Sequence, residues 1–116
     1  MTITEIRTYN ITPPHEVRDA DKLDDLVESI EAYGWIGRPL LVIDNGVNQA
    51  WTGSHRWAAA ELAGLETVPC LVVSWDDFSA ATAAAGREEF YDDEERKTFL
   101  RNAGLTEAYE LMAQEV

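Results

Sequence analysis

Residues 39–64 read "PLLVIDNGVNQAWTGSHRWAAAELAG", and this stretch determines most of the predicted fold. Residues 39–43 form a short, nearly all-apolar run, which is typical of a strand buried on both faces. Asp-Asn-Gly at 44–46 is turn chemistry, so residues 47–51 are predicted to return as the second strand of a hairpin. Residues 54–63 are then predicted to form an alanine-rich helix that ends at Gly64.

The segments on either side extend this pattern. Apolar residues at 23, 26, 27 and 30 share one face of a predicted helix over residues 22–33. Asp19 or Asp21 is suited to cap its start, and Gly34 to end it. Residues 68–73 predict another buried strand, and the apolar positions 3, 6, 9 and 11 suggest a short opening strand. The predicted fold class is α+β, with a compact mixed sheet and helices.

After residue 74 the sequence has no strand-like run and predicts two or three helices. Gly86 and Gly104 separate them, and Thr106 is a candidate cap for the last one. No linker or internal repeat is visible. We therefore expect one domain over residues 1–116, with a core over about 1–75 and a helical C-terminal extension over about 76–116.

The chain is strongly acidic, with 22 acidic and 9 basic residues and a formal net charge of −13. Such a surface repels nucleic-acid backbones, so tight nonspecific binding of nucleic acid is not expected. A small phosphate ligand remains compatible with this charge, because it needs only a few donors in one pocket. No apolar run approaches the roughly 20 residues of a membrane helix, and the N-terminal residues do not resemble a signal peptide. We expect a cytoplasmic protein with no membrane contact.

Gly-Ser-His-Arg at 53–56 lies where a strand is predicted to end and a helix to begin. Gly53 permits backbone angles that other residues disfavour and lets a ligand approach closely. The first turn of a helix has unpaired N–H groups, which together with the helix dipole favour an anion. Ser54 adds a hydroxyl, His55 adds ring N–H donors, and Arg56 adds a planar guanidinium suited to phosphate oxygens. These residue types in this order favour a phosphate site.

Other roles for the same residues stay open at this level. Thr52 or Ser54 is also a good helix cap, His55 can be a surface residue, and Arg56 can pair with one of the many carboxylates. The stretch is not a Walker loop, because it lacks Gly-x-x-x-x-Gly-Lys. The two histidines and the single cysteine have no recognised metal-ligand spacing, so no metal site is predicted from them.

A series of short motifs, taken in order, resembles the ParB/sulfiredoxin superfamily over residues 6–73. The motifs are Ser-Ile…Gly at 29–34, Pro-Leu-Leu-Val at 39–42, Gly-Ser-His-Arg-Trp-Ala-Ala at 53–59, and Ala-Gly…Val-Pro at 63–69. ParB-type members have a helix with Ser-Ile…Gly, a strand starting with Pro, a Gly-Glu-Arg-Arg helix start and an Ala-Gly…Val-Pro strand start. The resemblance implies the fold of this superfamily and a nucleotide-phosphate site at 53–56.

The central motif is closer to the sulfiredoxin form, Gly-Cys-His-Arg. The resemblance to sulfiredoxins implies that Lys22, Gly53, His55 and Arg56 contact nucleotide phosphates. Ser54 stands where sulfiredoxins have their catalytic cysteine, and a hydroxyl cannot perform the thiolate redox step. Cys70, the single cysteine, lies in the predicted strand 68–73, which indicates an inert core thiol. Sulfiredoxin activity is therefore not expected.

The leading hypothesis is a small protein that binds a nucleoside triphosphate such as ATP or CTP at the start of a helix, with or without hydrolysing it. Lys22, His55 and Arg56 would neutralise phosphate charge, while Ser54 and the N–H groups after Gly53 would donate hydrogen bonds. Magnesium would bridge the phosphates and one carboxylate. The candidate carboxylates are Glu16, Asp19 and Asp21.

Two alternatives remain. One is a ParB-like nuclease, in which the same pocket accepts a phosphodiester. The other is a non-enzymatic acidic interaction module of a phage or mobile element, which docks on a basic protein partner or mimics nucleic acid. A complete ParB is not expected, because residues 74–116 are acidic and contain no helix-turn-helix. Four tryptophans are candidate anchors, with Trp51 and Trp57 expected in the core: Trp35, Trp51, Trp57 and Trp75.

Overall fold

A five-stranded mixed sheet forms the centre of the protein, in a computed structural model that describes residues 3–87, 89–90 and 92–113. The strands are β1 (Ile3–Arg7), β2 (Ile11–Thr12), β3 (Leu40–Asp44), β4 (Asn48–Ala50) and β5 (Thr67–Ser74). They lie in the order β1-β5-β3-β4-β2. β3 is parallel to β5 and antiparallel to β4, β1 is antiparallel to β5, and β2 is parallel to β4. The mixed sheet with helices confirms the predicted α+β class.

The two central strands supply residues to both faces of the sheet, because successive side chains of a strand point in opposite directions. In β3, Leu40 and Val42 belong to one buried cluster, while Leu41 belongs to the other. In β5, Cys70 belongs to the same cluster as Leu40, and Leu71 belongs to the same cluster as Leu41. β3 is buried along its apolar run because both faces are covered, as the sequence predicted.

Two helices, α1 (Ala20–Tyr33) and α2 (Ser54–Leu62), cover the first face. α1 starts after Asp19, whose carboxylate accepts a hydrogen bond from the Lys22 N–H at 3.0 Å, and it ends at Gly34. The predictions that Asp19 caps the start of this helix and that Gly34 ends it are both confirmed. The predicted apolar stripe of α1 lies against this face: Leu23, Leu26, Val27 and Ile30. None of the helices in the described residues is long and apolar enough to cross a membrane.

Three further helices cover the second face: α3 (Trp75–Ala85), α4 (Asp93–Asn102) and α5 (Thr106–Ala113). Their buried residues form one cluster with those of the sheet, so the helical extension is a packed layer. Its helical character is confirmed. Thr106 is the first residue of α5 rather than its cap. The remainder of the predicted extension, at 88, 91 and 114–116, lies outside the described residues.

Three of the four tryptophans are partly buried. Trp51 lies against Phe78, Phe90 and Phe99, with ring centroids 5.7 to 5.9 Å apart, and so joins the end of the hairpin to the extension. The Trp57 indole N–H donates to the Thr8 carbonyl at 2.9 Å. Trp51 and Trp57 are both partly buried and pack against the two core clusters, where the sequence placed them. Trp75 is 46% exposed, so it alone among the four is a large exposed side chain.

The opening segment differs from the prediction of one strand. A 3-10 turn at Thr8–Asn10 separates β1 from β2, which lie at opposite edges of the sheet. The Thr8 N–H donates to the Glu66 carbonyl at 2.9 Å and the Thr8 hydroxyl to the Leu65 carbonyl at 2.7 Å, which fixes the turn. Tyr9, counted as an apolar strand position, is exposed. The spacing of three between positions 3, 6 and 9 does not match the period of two that a strand requires.

Cys70 is fully buried in β5, as predicted. Burial, and after it the charge of Glu5, raise the pKa of the thiol from 9.0 to about 12. The thiol therefore remains protonated at neutral pH, which supports the interpretation of an inert core residue.

The raised pKa predicts a pH-dependent loss of stability. Because the folded-state pKa lies above that of the unfolded chain, the contribution of the protonated thiol is complete below pH 9 and is lost as the pH rises towards 12. We expect a loss of up to about 1.4 kcal/mol per pH unit in this window. Urea unfolding of the wild-type protein and of Cys70→Ala at several pH values measures it. A constant difference between the two proteins would contradict the prediction.

Candidate functional site: an anion-binding cleft

A cleft of about 1190 Å³ lies between the starts of α1 and α2 and the segment of the extension around residues 89–96. Residues from four separate parts of the chain line it, at 14–26, 38, 49–56 and 89–96. The five residues predicted from the sequence are all among them: Lys22, Gly53, Ser54, His55 and Arg56. The structure thus brings the lysine of α1 to the same cleft as the Gly-Ser-His-Arg motif.

The start of α2 meets this cleft without a side-chain cap. Its N-cap residue, Gly53, is left-handed, with φ 92° and ψ 33°, and α2 has no acidic residue in its first turn. In contrast, α1, α3 and α4 are capped by Asp19, Ser74 and Asp92, and each has acidic residues in its first turn. The N–H groups and the positive end of the helix dipole at α2 are therefore left available to an anion.

Ser54 is almost completely buried and joins α2 to the loop before α1. Its Oγ accepts a hydrogen bond from the His15 backbone N–H at 3.2 Å. The His15 ring donates from Nδ1 to the Glu16 carbonyl at 2.7 Å, because a carbonyl oxygen can only accept. The Ser54 hydroxyl hydrogen is left to donate elsewhere, so the serine can serve both as a link and as a donor to a ligand.

His55 couples the starts of the two helices. Its Nε2 accepts a hydrogen bond from the Asp19 backbone N–H at 3.1 Å. The neutral ring therefore carries its proton on Nδ1, which is the one ring donor that remains for a ligand. Asp19 in turn caps α1, so the backbone next to Lys22 is positioned by the same link.

Arg56 is braced by the backbone that leads into β3. Its Nη1 donates to the Arg38 carbonyl and its Nη2 to the Ile36 carbonyl, both at 2.6 Å. The guanidinium also stacks on the Trp35 ring, 4.1 Å from the centroid. Burial, followed by the charge of Arg38, lowers the pKa of Arg56 from 12.5 to about 10. Arg56 stays charged at neutral pH, and its N–H groups not bonded to carbonyls remain for a ligand.

Four further cleft residues that can carry positive charge are not part of the predicted site: His15, Arg18, Arg38 and Arg96. With the predicted residues, five of the nine Lys and Arg side chains and both histidines line one cleft. No local motif marks the four, because they come from a loop, the segment before β3, and α4. Among the described residues, the carboxylates that line the cleft are Glu89 and Asp93, and Asp93 pairs with Arg96 at 3.1 Å.

The three carboxylates suggested for magnesium are not among the described residues that line the cleft. The Asp19 side chain caps α1, and Glu16 and Asp21 are exposed. Within residues 3–87, 89–90 and 92–113, no group of three or more His, Cys, Asp or Glu side chains is arranged to hold a metal ion. The described side chains therefore do not form a ready-made cation site.

The fold and cleft together define a class: an α+β domain with a cation-lined cleft at the uncapped start of the second helix. The chain belongs to the ParB N-terminal domain family, whose model matches residues 1–88. A probable chromosome 2-partitioning protein ParB of Deinococcus radiodurans is 40% identical over 74 residues, which are 63% of this chain and 25% of the relative. A probable chromosome-partitioning protein ParB of Xylella fastidiosa is 35% identical over 86 residues, 72% of this chain and 27% of the relative.

Solved structures agree with the fold. The C-terminally truncated ParB of Caulobacter crescentus complexed with CTP-γ-S is 27% identical, with a TM-score of 0.57 over 95% of this chain and 66% of that one. Sulfiredoxin from Arabidopsis thaliana is 26% identical, with a TM-score of 0.57 over 69% of this chain and 96% of that one. The resemblance to the ParB/sulfiredoxin superfamily is confirmed. This chain spans about a quarter of the length of the ParB sequences it matches.

Gly53→Ala tests the backbone that forms the cleft. A Cβ at residue 53 would lie 2.5 Å from Cδ2 of Leu40, a core side chain that is 2% exposed. We expect a loss of about 2 to 4 kcal/mol in unfolding free energy, from the left-handed backbone and the overpacking together.

Gly64→Ala is the matched control, because its φ is also positive, 81°, but nothing lies within 4 Å of the added Cβ. We expect it to lose about 1 to 2 kcal/mol, the backbone cost alone. Urea unfolding measures both variants. Equal losses would show that the contact with Leu40 does not constrain residue 53.

Proposed function

We propose that the cleft binds a nucleoside triphosphate. The observation that carries this proposal is the concentration of cationic residues around the uncapped start of α2, in a chain whose net charge is −13. Collecting like charges in one place is unfavourable unless an anion compensates them. A polyphosphate matches a cleft that offers cations, backbone N–H groups and a hydroxyl together.

The comparisons support the same ligand class. The Caulobacter crescentus ParB, which matches 95% of this chain, was solved with CTP-γ-S, a nucleoside triphosphate analogue. A free serine kinase solved with AMP has the same fold, but at 23% identity that likeness supports the fold alone. Because this chain spans about a quarter of the matched ParB sequences, their partition activity is not assigned to it.

Each residue has a definite part in this proposal. The N–H groups of the first turn of α2 and the Ser54 hydroxyl donate to phosphate oxygens, while Lys22 and Arg56 neutralise their charge. His55, whose Nε2 accepts from the Asp19 N–H, donates from Nδ1. Magnesium would be carried in with the triphosphate, since it is commonly held by substrate phosphates and few protein groups. Ser54 in place of a cysteine argues against sulfiredoxin chemistry, and the buried Cys70 does not line the cleft.

Calorimetric titration with ATP, CTP and GTP, with and without magnesium, tests the proposal. We expect binding of at least one of them at concentrations up to about 1 mM, the upper range of common nucleotide affinities. Release of inorganic phosphate from the same samples reports whether the bound nucleotide is hydrolysed. Absence of binding by all three would refute the proposed function.

Lys22→Met identifies the site of that binding. Lys22 is exposed, so the substitution removes one charge with little effect on the core. We expect the Kd for the triphosphate to rise about tenfold or more, as for the loss of one charge-assisted hydrogen bond. Lys97→Met is the control, because Lys97 pairs with Glu94 and does not line the cleft. Equal effects of the two substitutions would mean that only net charge matters.

A further inference from the structure

The turn that joins β3 to β4 begins with Asp44, Asn45 and Gly46, and none of the three is among the described residues that line the cleft. Residues 44–47 are all exposed, so water reaches this turn freely. Gly46 has a positive φ of 99°, and nothing lies within 4 Å of the place where a Cβ would stand. The Gly46 nitrogen therefore follows the Asn45 side chain with no side chain of its own to shield it.

The Asp44 carboxylate faces the proton of that nitrogen. The Gly46 N–H donates a hydrogen bond to Asp44 Oδ1 at 3.1 Å. A carboxylate within hydrogen-bond distance of an N–H is placed to accept its proton when the nitrogen forms a new bond. Asp44 thus offers a proton acceptor to the backbone nitrogen that directly follows Asn45.

The amide group of Asn45 is hydrogen-bonded within the same turn. Its Oδ1 accepts from the Val47 N–H at 3.4 Å, and the Asn45 backbone N–H donates to the Val47 carbonyl at 3.3 Å. A donor at the amide oxygen stabilises the negative charge that this oxygen gains when a nucleophile adds to Cγ. The turn therefore supplies both a proton acceptor for the nitrogen and a hydrogen-bond donor for the oxygen.

We propose that Asn45 is a site of spontaneous modification, at which this turn converts asparagine into a mixture of aspartate and isoaspartate. The Gly46 nitrogen bonds to Asn45 Cγ while its proton passes to Asp44 Oδ1. The bond between Cγ and the side-chain nitrogen then breaks, and that nitrogen takes up the proton and leaves as ammonia. The product of this step is a five-membered cyclic imide formed by Asn45 and the Gly46 nitrogen.

Water completes the reaction by hydrolysing the imide at either of its two carbonyl carbons. Breaking the bond from Cγ to the Gly46 nitrogen gives aspartate with the ordinary backbone. Breaking the original peptide bond instead gives isoaspartate, whose backbone runs through the β-carbon. One water is consumed and one ammonia is released, and no atom is oxidised or reduced.

Both products change the hairpin. Each adds one negative charge at neutral pH, and isoaspartate also adds one carbon atom to the backbone of the turn. β3 and β4 pair from Asp44 opposite Asn48 to Val42 opposite Ala50, so a longer turn disturbs the pairing at the start of β4. The inference does not depend on nucleotide binding, and its test contains no nucleotide.

Incubation of the native wild-type chain at neutral pH, followed by peptide mass spectrometry, tests the site. We expect Asn45 to be converted at least about tenfold faster than the other three asparagines, each of which precedes a residue with a side chain. These internal controls are Asn10, Asn48 and Asn102. Fragment spectra should show both aspartate and isoaspartate. Equal rates at all four positions, or aspartate alone at residue 45, would refute the inference.

Two variants at the site test the attacking nitrogen. Asn45→Gln should show no conversion in the hairpin, because the longer side chain does not form the five-membered ring. Gly46→Ala should slow conversion about tenfold, since the added methyl group hinders the nitrogen. Far-ultraviolet circular dichroism and urea unfolding check that both variants fold. Conversion of a folded Gly46→Ala variant at the wild-type rate would contradict attack by this nitrogen.

Asp44→Asn tests the contribution of the folded turn. The asparagine oxygen can still accept the Gly46 N–H but is a far weaker proton acceptor, so we expect conversion of Asn45 to slow about threefold or more. In urea, where the turn is lost, Asp44→Asn and wild type should react at the same rate. The control is Asp25→Asn, which removes the same charge from an exposed position on α1. If Asp44→Asn reacts like Asp25→Asn in the native protein, or is equally slow in urea, the proposed role of the turn is wrong.

Discussion

The close approach of Gly53 to Leu40 is the constraint on which the cleft depends. A Cβ at residue 53 would lie 2.5 Å from a Leu40 methyl carbon, and the backbone there is left-handed, so glycine satisfies both conditions at once. This turn starts α2 directly beside the central strand β3. It also leaves the helix without a side-chain cap. Gly53 thus allows the close packing against Leu40 and leaves the N–H groups of the first turn of α2 without a side-chain partner.

The distribution of charge follows from this geometry. Acidic residues occupy the first turns of α1, α3, α4 and α5, where they favour the helix dipole. The first turn of α2 has no acidic residue, and five of the nine basic side chains line the cleft around it. A chain with a net charge of −13 would gain from spreading its cations among its carboxylates. Their concentration in one cleft is therefore a local feature, and it is the observation on which the proposed nucleotide binding rests.

The sequence predicted the regular elements well where one physical signal dominated. The apolar run at 39–43 and the 3.6-residue stripe of α1 each identified an element and what it buries, and the Gly-Ser-His-Arg junction identified the start of α2. The prediction of a single opening strand was wrong, because two edge strands and the turn between them share one short apolar pattern. Arg38 and Arg96 were missed because no local pattern marks them, and only tertiary packing brings them to the cleft.

The extension connects the core to the cleft. The second face of the sheet carries Leu41 and Leu71, which need an apolar cover, and α3 to α5 provide it. Trp51 joins this cover to the hairpin: its backbone N–H donates to the Leu41 carbonyl at 2.8 Å, its ring packs on Phe90, and it lines the cleft. The contacts that bury the sheet thus also place Phe90 and Arg96 at the cleft wall. We therefore expect a change in how these helices pack to alter the cleft even where no cleft residue is substituted.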